Sequence, residues 1–369
     1  MNYSIRWLYQ IHLILFFLSG VFYLQNKIIG YSILAISSLL FFLSIKYRFN
    51  KFEILVFFQL LFTSSFGLIT HPPIEYYIIS LYLSIFLLTL SFGDRYYLQY
   101  QSVKKQKYNF FNIVFFIILL LIILSIIINN EFYGKFSGFY KRSNDFSLLL
   151  ISLASLTCLY IVTCVQRNMS ILSVILFLCI IVMSSFSGSR LAAIALTLFA
   201  LLTLFSNNRV NFKVSILLCV FIFLILLQVP ENMPIFEKFQ ARGKFENDER
   251  LVTWIKSLDI LRWLEYSDYN GVFNDGLHNG ALQVAAKIGI IPAIIFFLEM
   301  FYLLVKRMKK IPKHQGYLHN PRTFYLISLM ILMLPFITEN ILLKVQLSLL
   351  PIFVYMASEM LFFKSINRN

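Results

Sequence analysis

The chain has little charge and little cysteine, and both shortages exclude whole classes of protein. Charged residues make up 13% of its 369 positions, which is about half the share found in an ordinary soluble domain. The four cysteines all lie in apolar runs and form no CxxC pair, so no disulfide scaffold is predicted. DxD and HExxH motifs are absent, as is any Cys/His cluster. The sequence therefore predicts no metal and no cofactor.

Apolar and aromatic residues are abundant instead, at 59% and 17% of the chain, with a mean hydropathy of +0.77. A helix that spans a bilayer needs about 20 mostly apolar residues. The sequence predicts an all-α polytopic membrane protein with about 12 transmembrane helices, forming a single integral membrane domain over residues 1–369. The predicted spans are 8–25, 28–45, 52–70, 76–93, 110–128, 146–165, 169–187, 191–206, 213–229, 281–305, 323–338 and 343–363.

The basic residues predict which way the chain crosses the membrane. An even number of spans places both termini on one side, and the short loops on that side, with the termini, carry nineteen lysines and arginines. The opposite short loops carry five, namely Lys27, Lys135, Lys141, Arg142 and Arg190. Because cytoplasmic loops are enriched in Lys and Arg, both termini are predicted to be cytoplasmic. The formal net charge of +15 is then mostly a topology signal, and no nucleic-acid partner is predicted.

Several cations nevertheless lie on the extracytoplasmic side, where insertion disfavours them. The loop after the fifth span, NEFYGKFSGFYKRSND, carries Lys141 and Arg142. The turn SSFSGSR after the seventh span ends in Arg190, directly before an apolar run. An arginine flanked by Ser and Gly at the entrance of a span can lie in a backbone-rich pocket that binds anions. The alternative is an arginine that only anchors the end of a helix.

The long segment 230–276, between the ninth and tenth spans, is predicted to be an extracytoplasmic loop that contains an amphipathic helix. Its part NDERLVTWIKSLDILRWLEY has an apolar stripe at helical spacing. Such a helix would lie in the interface plane with Trp254 and Trp263 at headgroup level. Arg250 and Trp254 share one face, which would place the guanidinium beside the bilayer surface, at the height of a lipid phosphate. The alternative is a simple interfacial anchor.

His278 and Asn279 follow this loop, at the mouth of the tenth span. A histidine in that position can act as a general base or donate a hydrogen bond to an anion, although a lone histidine can equally be structural. Glu339, after the eleventh span, is a further candidate on the same side. Glu299 and Lys344 lie in or near the membrane, where ionisable residues are functional candidates but could also form a structural pair.

Taken in order, SGSR (Arg190), RLVTW (Arg250), LHNGAL with the following KIGIIP (His278, Asn279, Gly289) and TEN (Glu339) resemble the O-antigen ligase/polymerase family. These are integral inner-membrane glycosyltransferases of bacterial surface polysaccharide assembly. The resemblance covers residues 140–345, and the HN motif after a long external loop is its most specific element.

The resemblance implies a metal-independent fold related to the lipid-dependent, GT-C-like glycosyltransferases, with 230–276 as a periplasmic loop. The donor would be an oligosaccharide on undecaprenyl diphosphate, used at the periplasmic face with inversion. Arg190 and Arg250 would hold the diphosphate, and His278 would activate the acceptor hydroxyl or assist the departure of the diphosphate. Asn279 would position its neighbour. Further contacts with substrate would come from Lys141, Arg142, Trp254 and Glu339.

Two activities of that family share this donor and differ in the acceptor. A polymerase transfers the glycan to a lipid-linked repeat unit, and a ligase transfers it to lipid A–core. Only 27 residues separate Arg250 from His278, which leaves little surface for recognising a bulky core oligosaccharide and favours the polymerase. A chain-length regulator is an expected partner. The rival from another class is a flippase or transporter, although the chain shows no repeated halves of the kind that transporters often have.

Overall fold

The computed structural model describes residues 3–45, 49–99, 108–128, 136–163, 167–187, 189–206, 249–267, 279–311, 321–339 and 344–366. Every regular element in these ranges is an α-helix. In chain order they are α1 (Tyr3–Tyr23), α2 (Lys27–Ser44), α3 (Lys51–Thr70), α4 (Ile74–Gln99), α5 (Tyr108–Ile128), α6 (Ser143–Thr163), α7 (Arg167–Ser187), α8 (Arg190–Ser206), α9 (Glu249–Leu258), α10 (Gly280–Ile288), α11 (Ile290–Lys310), α12 (Pro321–Thr338) and α13 (Val345–Ile366).

Five stretches are long and apolar enough to cross a membrane, judged by length and composition: Lys27–Ser44, Lys51–Thr70, Ile74–Gly93, Phe110–Ile128 and Ser143–Val162. Shorter apolar helical stretches occur in α1, α7, α8, α12 and α13. The structure therefore agrees with a helical, multi-pass membrane protein. The count of twelve spans stays a prediction, and the ninth predicted span, 213–229, lies outside the described residues.

The chain divides into two compact units. The first consists of Met1–Lys104, Glu246–Lys309 and Met333–Tyr355, and the second of Lys105–Phe245, Lys310–Leu332 and Met356–Asn369. The prediction of a single integral membrane domain concerns insertion in the bilayer and stays a prediction.

Two polar residues buried among the helices of the first unit, His12 and Tyr9, are hydrogen-bonded to neighbouring helices. His12 of α1 is fully buried, with its Nε2 2.9 Å from Thr89 Oγ1 on α4 and its Nδ1 2.8 Å from the Ser37 carbonyl oxygen on α2. The hydroxyl of Tyr9 donates to the Thr89 carbonyl oxygen at 2.9 Å. The sequence gives His12 no obvious partner, because both partners lie on other helices. The structure shows a satisfied histidine of the helix core.

The tenth predicted span, 281–305, is broken into α10 and α11 at Gly289. This glycine has a φ of +92°, a backbone conformation that residues with a Cβ rarely adopt. A Cβ added there would lie 2.7 Å from the backbone carbon of Leu264. The amides of Ile290 and Ile291 donate to the carbonyls of Arg262 and Trp263 at 3.0 and 2.9 Å. The break is therefore held by the segment that precedes α10 in the chain.

In the second unit, α6 packs against both α7 and α8 and is buried along nearly its whole length. Its residues Leu149, Leu150 and Ile151 are fully buried. Because α6 has apolar side chains on all faces, it suits the centre of a helix bundle rather than a surface that faces lipid on one side.

Candidate functional site

At one end of the second unit, the loop that carries Lys141 and Arg142 lies beside the turn that leads to Arg190. The amide of Phe136 donates to the carbonyl of Phe186 at the end of α7, at 3.2 Å. Ser147 Oγ on α6 lies 3.2 Å from Ser187 Oγ. The structure thus brings together two segments that the sequence analysis proposes for anion binding.

Helix α8 begins at Arg190 and is capped by the preceding residue. Ser189 Oγ accepts a hydrogen bond from the amide of Ala192 at 3.3 Å, and the amide of Ser189 donates to Ser187 Oγ at 3.4 Å. A helix N-terminus carries partial positive charge and favours anions. The first residue of this helix is a predicted phosphate ligand, although the Arg190 side chain is outside the described part of the structure.

The loop before α6 contains a buried tyrosine next to two exposed cations. Lys141 and Arg142 are exposed, whereas Tyr140 is 4% exposed and its hydroxyl has no hydrogen-bond partner among the described residues. Burial raises the pKa of Tyr140 well above its usual value, and the nearby carboxylate of Asp145 adds to the rise. Tyr140 therefore stays a neutral phenol at any physiological pH. No sequence pattern identifies Tyr140, since a tyrosine in an aromatic-rich loop is not distinctive.

In the first unit, α9 is shorter than the predicted amphipathic helix. It ends at Leu258, and Trp254 is half-buried against Ala286 of α10, together with Leu261 and Leu282. The small side chain of Ala286 lets the indole ring pack on α10. The prediction that Trp254 lies at headgroup level stays a prediction, and so does its role as a substrate contact. The backbone of Arg250 lies one turn earlier in α9, and its side chain is outside the described part.

Asn279 is the N-cap of α10. Its Oδ1 accepts hydrogen bonds from the amides of Ala281 and Leu282 at 3.0 and 3.1 Å, which explains an asparagine here by helix capping. His278, the residue before it, lies outside the described residues. A cap of this kind fixes the direction in which the chain enters α10, and this agrees with a positioning role for Asn279 without testing it.

Two carboxylates near the later helices have different surroundings. Glu339 follows α12, is partly buried, and its amide donates to the Pro335 carbonyl at 2.8 Å. Glu299 of α11 is 6% exposed, and neither carboxylate oxygen has a hydrogen-bond partner in the described part of the chain. The suggested Glu299–Lys344 pair is thus not formed.

A cluster of charged and aromatic residues that the sequence analysis did not select lies beside the Gly289 break. Lys287 of α10 is 3% exposed, and its Nζ donates to Glu75 Oε2 at 3.2 Å and to the Tyr266 hydroxyl at 3.0 Å. Lys27 Nζ lies 3.8 Å from Glu75 Oε1. These residues come from segments that the predicted topology puts on the extracytoplasmic side. A lysine inside an apolar span is the signal that could have pointed to this cluster.

A small cavity lies among α3, α4, α10 and α11. Its volume is about 20 Å³, which is enough for one buried water molecule. Gln59 Oε1 and Ser80 Oγ have no hydrogen-bond partner in the described chain. The cavity is lined by Gln59, Thr63, Ser80, Leu83, Ser84, Leu87, Ile288, Pro292 and Phe296. No three His, Cys, Asp or Glu side chains among the described residues are placed to hold a metal ion.

The predicted site residues thus fall into two groups. Lys141, Arg142 and Arg190 belong to the second unit, and Arg250, Trp254, Asn279 and Glu339 belong to the first. Their convergence on one substrate stays a prediction. No protein-family model matches the chain, and no curated protein is significantly similar to it.

Proposed function

We propose that this chain is an O-antigen polymerase of a bacterial inner membrane. It transfers a glycan from undecaprenyl diphosphate to a hydroxyl of a lipid-linked repeat unit at the periplasmic face. The observation that carries the proposal is the ordered set SGSR, RLVTW, LHNGAL and TEN in a helical, multi-pass membrane chain. The family, the GT-C-like fold, the twelve spans and the cytoplasmic termini are parts of the same proposal.

The end of the second unit supports the proposal chemically. There the capped start of α8 lies beside a loop with two exposed cations. Arginine forks suit phosphate oxygens through bidentate bonds, and a helix N-terminus adds amide donors. In the proposed reaction Arg190 and Arg250 neutralise the charge that develops on the leaving diphosphate.

The transfer needs one base and no metal. His278 takes the proton of the acceptor hydroxyl while the oxygen attacks the anomeric carbon. The new C–O bond forms on the face opposite the diphosphate, the bond from the anomeric carbon to the diphosphate oxygen breaks, and the configuration inverts. Asn279 holds its neighbour by capping α10.

A ligase would perform the same chemistry on lipid A–core, and it remains the alternative within the family. A lipid-linked oligosaccharide flippase is the second candidate function. It is favoured by one observation, the buried Glu299 without a hydrogen-bond partner in the described chain, since ionisable residues inside spans often belong to transport pathways.

A lipopolysaccharide gel from a strain lacking the gene tests the proposal. Core plus a single repeat unit indicates a lost polymerase, whereas bare core with accumulating lipid-linked polymer indicates a lost ligase. An unchanged ladder excludes O-antigen assembly. We expect wild type to restore the ladder, and Arg190→Ala and His278→Ala to fail although they reach the membrane in normal amounts. His314→Ala, in a predicted cytoplasmic loop, is the matched control and should restore it.

A further inference from the structure

The segment from α9 to Tyr266 has an apolar face that packs on protein and another that is exposed. Trp254 and Leu261 pack on Ala286. Four other large apolar side chains point outward, and we call them the 255–263 patch: Ile255, Leu258, Ile260 and Trp263, with exposed fractions of 65%, 56%, 43% and 69%. The stripe predicted from the sequence therefore divides between two surfaces.

The 255–263 patch is fastened firmly to the first unit. The carbonyls of Arg262 and Trp263 accept hydrogen bonds from the first two amides of α11. The amide of Ser267 donates to the Ala286 carbonyl at 2.8 Å. These hydrogen bonds hold the backbone at the end of the patch against α10 and α11, so Trp263 cannot turn inward without breaking contacts that hold the Gly289 break.

The patch also lies at the level where the spans of the first unit end. Tyr266, three residues beyond it, bonds to Lys287, which pairs with Glu75 in the first turn of α4. Glu75 in turn lies near Lys27, the first residue of α2. Apolar side chains at these helix ends are highly exposed as well, among them Ile28 and Ile74. In a chain with spans this long and apolar, such side chains face lipid.

From this placement we infer that the 255–263 patch docks into the surface of the lipid bilayer. Ile255, Leu258 and Ile260 reach the boundary of the acyl chains, and Trp263 lies at headgroup level, where an indole ring keeps one polar edge hydrated. An exposed apolar patch of this kind marks an interaction site, and lipid is the partner that is already present at this level. The inference does not depend on the glycosyltransferase proposal.

Tryptophan fluorescence tests the inference sharply, because the chain has only three tryptophans. The Trp7→Phe protein retains Trp254 and Trp263, and the Trp7→Phe/Trp263→Phe protein retains Trp254 alone. The difference between them isolates Trp263 without disturbing the packing on Ala286. Both are reconstituted into phosphatidylcholine vesicles whose acyl chains carry bromine near the headgroup or near the chain end. Trp7→Phe/Trp254→Phe gives a direct check on Trp263.

We expect bromine near the headgroup to quench Trp263 several-fold more strongly than Trp254, and more strongly than bromine near the chain end does. Aqueous iodide should then quench Trp263 weakly. If the brominated lipids do not quench the fluorescence of Trp263, the inference is overturned, and the effect of iodide shows what covers the patch instead. Strong quenching by iodide would mean that the patch faces water, and weak quenching by both would mean that protein covers it.

Discussion

Two buried ionisable residues lie on either side of the Gly289 break, and their surroundings differ. Lys287 of α10 has a carboxylate and a phenol within 3.2 Å of its ammonium. Glu299 of α11 is nearly as buried, but neither of its oxygens has a hydrogen-bond partner in the described chain. Because a buried charge without a partner is costly, Lys287 has a structural explanation and Glu299 does not. The comparison marks Glu299 as the functional candidate and Lys287 as part of the architecture.

The largest effect should come from removing the break that separates the two residues. In Gly289→Val, the new side chain would need φ near +92° and would meet the backbone of Leu264. We expect a loss of about 3 kcal/mol or more in unfolding free energy, measured by thermal unfolding in detergent. Gly67→Ala is the control, since the atoms nearest to its new Cβ belong to the side chains of Tyr76 and Tyr77 rather than to the backbone. Equal melting temperatures for the two variants would contradict the account of the break.

The next largest effects concern the partners of Lys287. Glu75→Gln removes the negative charge beside a buried ammonium, which should cost about 2–3 kcal/mol. Lys287→Met leaves Glu75 partly exposed and still near Lys27, at a cost of about 1 kcal/mol. Lys27→Met removes an exposed cation and should cost about 0.5 kcal/mol or less. Unfolding in detergent should rank the three in that order, and the reverse order would mean that Glu75 is not the main partner of Lys287.

At Glu299 the expected effect on stability is smaller than at Gly289 or Glu75. Glu299→Gln replaces a carboxyl group that has no hydrogen bond to lose in the described chain, so unfolding should change by about 1 kcal/mol at most, in either direction. Glu53→Gln is the matched control, because Glu53 is also buried but accepts hydrogen bonds from Ser91 Oγ and the Asn50 amide. The control should be clearly less stable than Glu299→Gln. A loss at Glu299 as large as at Glu53 would show that its carboxylate has a partner.

The effect of Glu299→Gln on function sharpens the comparison further. If transfer of glycan continues at the wild-type rate, Glu299 is not needed for the proposed reaction. If Glu299→Gln abolishes uptake or flipping of a lipid-linked oligosaccharide without changing stability, the result supports the transporter function and counts against the polymerase function.

The sequence predicts most helices closely, because an apolar run bounded by polar residues determines where a span begins and ends. The predicted span 28–45 differs from α2 by one residue at each end, and the span 52–70 differs from α3 by one residue at its start. The break at Gly289 was not predicted. It depends on the carbonyls of Arg262 and Trp263, and no local pattern around Ile290 shows that these will be near.

The candidate site was predicted less completely, because it also depends on contacts between residues that are far apart in the chain. Lys287 lies in the KIGIIP motif, but its main partner, Glu75, is 212 positions away in the chain. Asn279 was predicted as a positioning residue and proves to cap α10, which a short sequence pattern can suggest. Tyr140 was missed because only packing reveals its burial. Motif and periodicity identify local roles, whereas partners across the fold need the structure.

The most direct test of the central claim is glycan transfer by the purified protein. The chain is reconstituted in vesicles with undecaprenyl-diphosphate-linked repeat units, with and without a metal chelator, and the lipid-linked products are separated by size. The account predicts products of two or more repeat units, release of undecaprenyl diphosphate, no effect of the chelator, and no products from His278→Ala. Absence of any elongated product with correctly folded wild-type protein and the cognate repeat unit would contradict it.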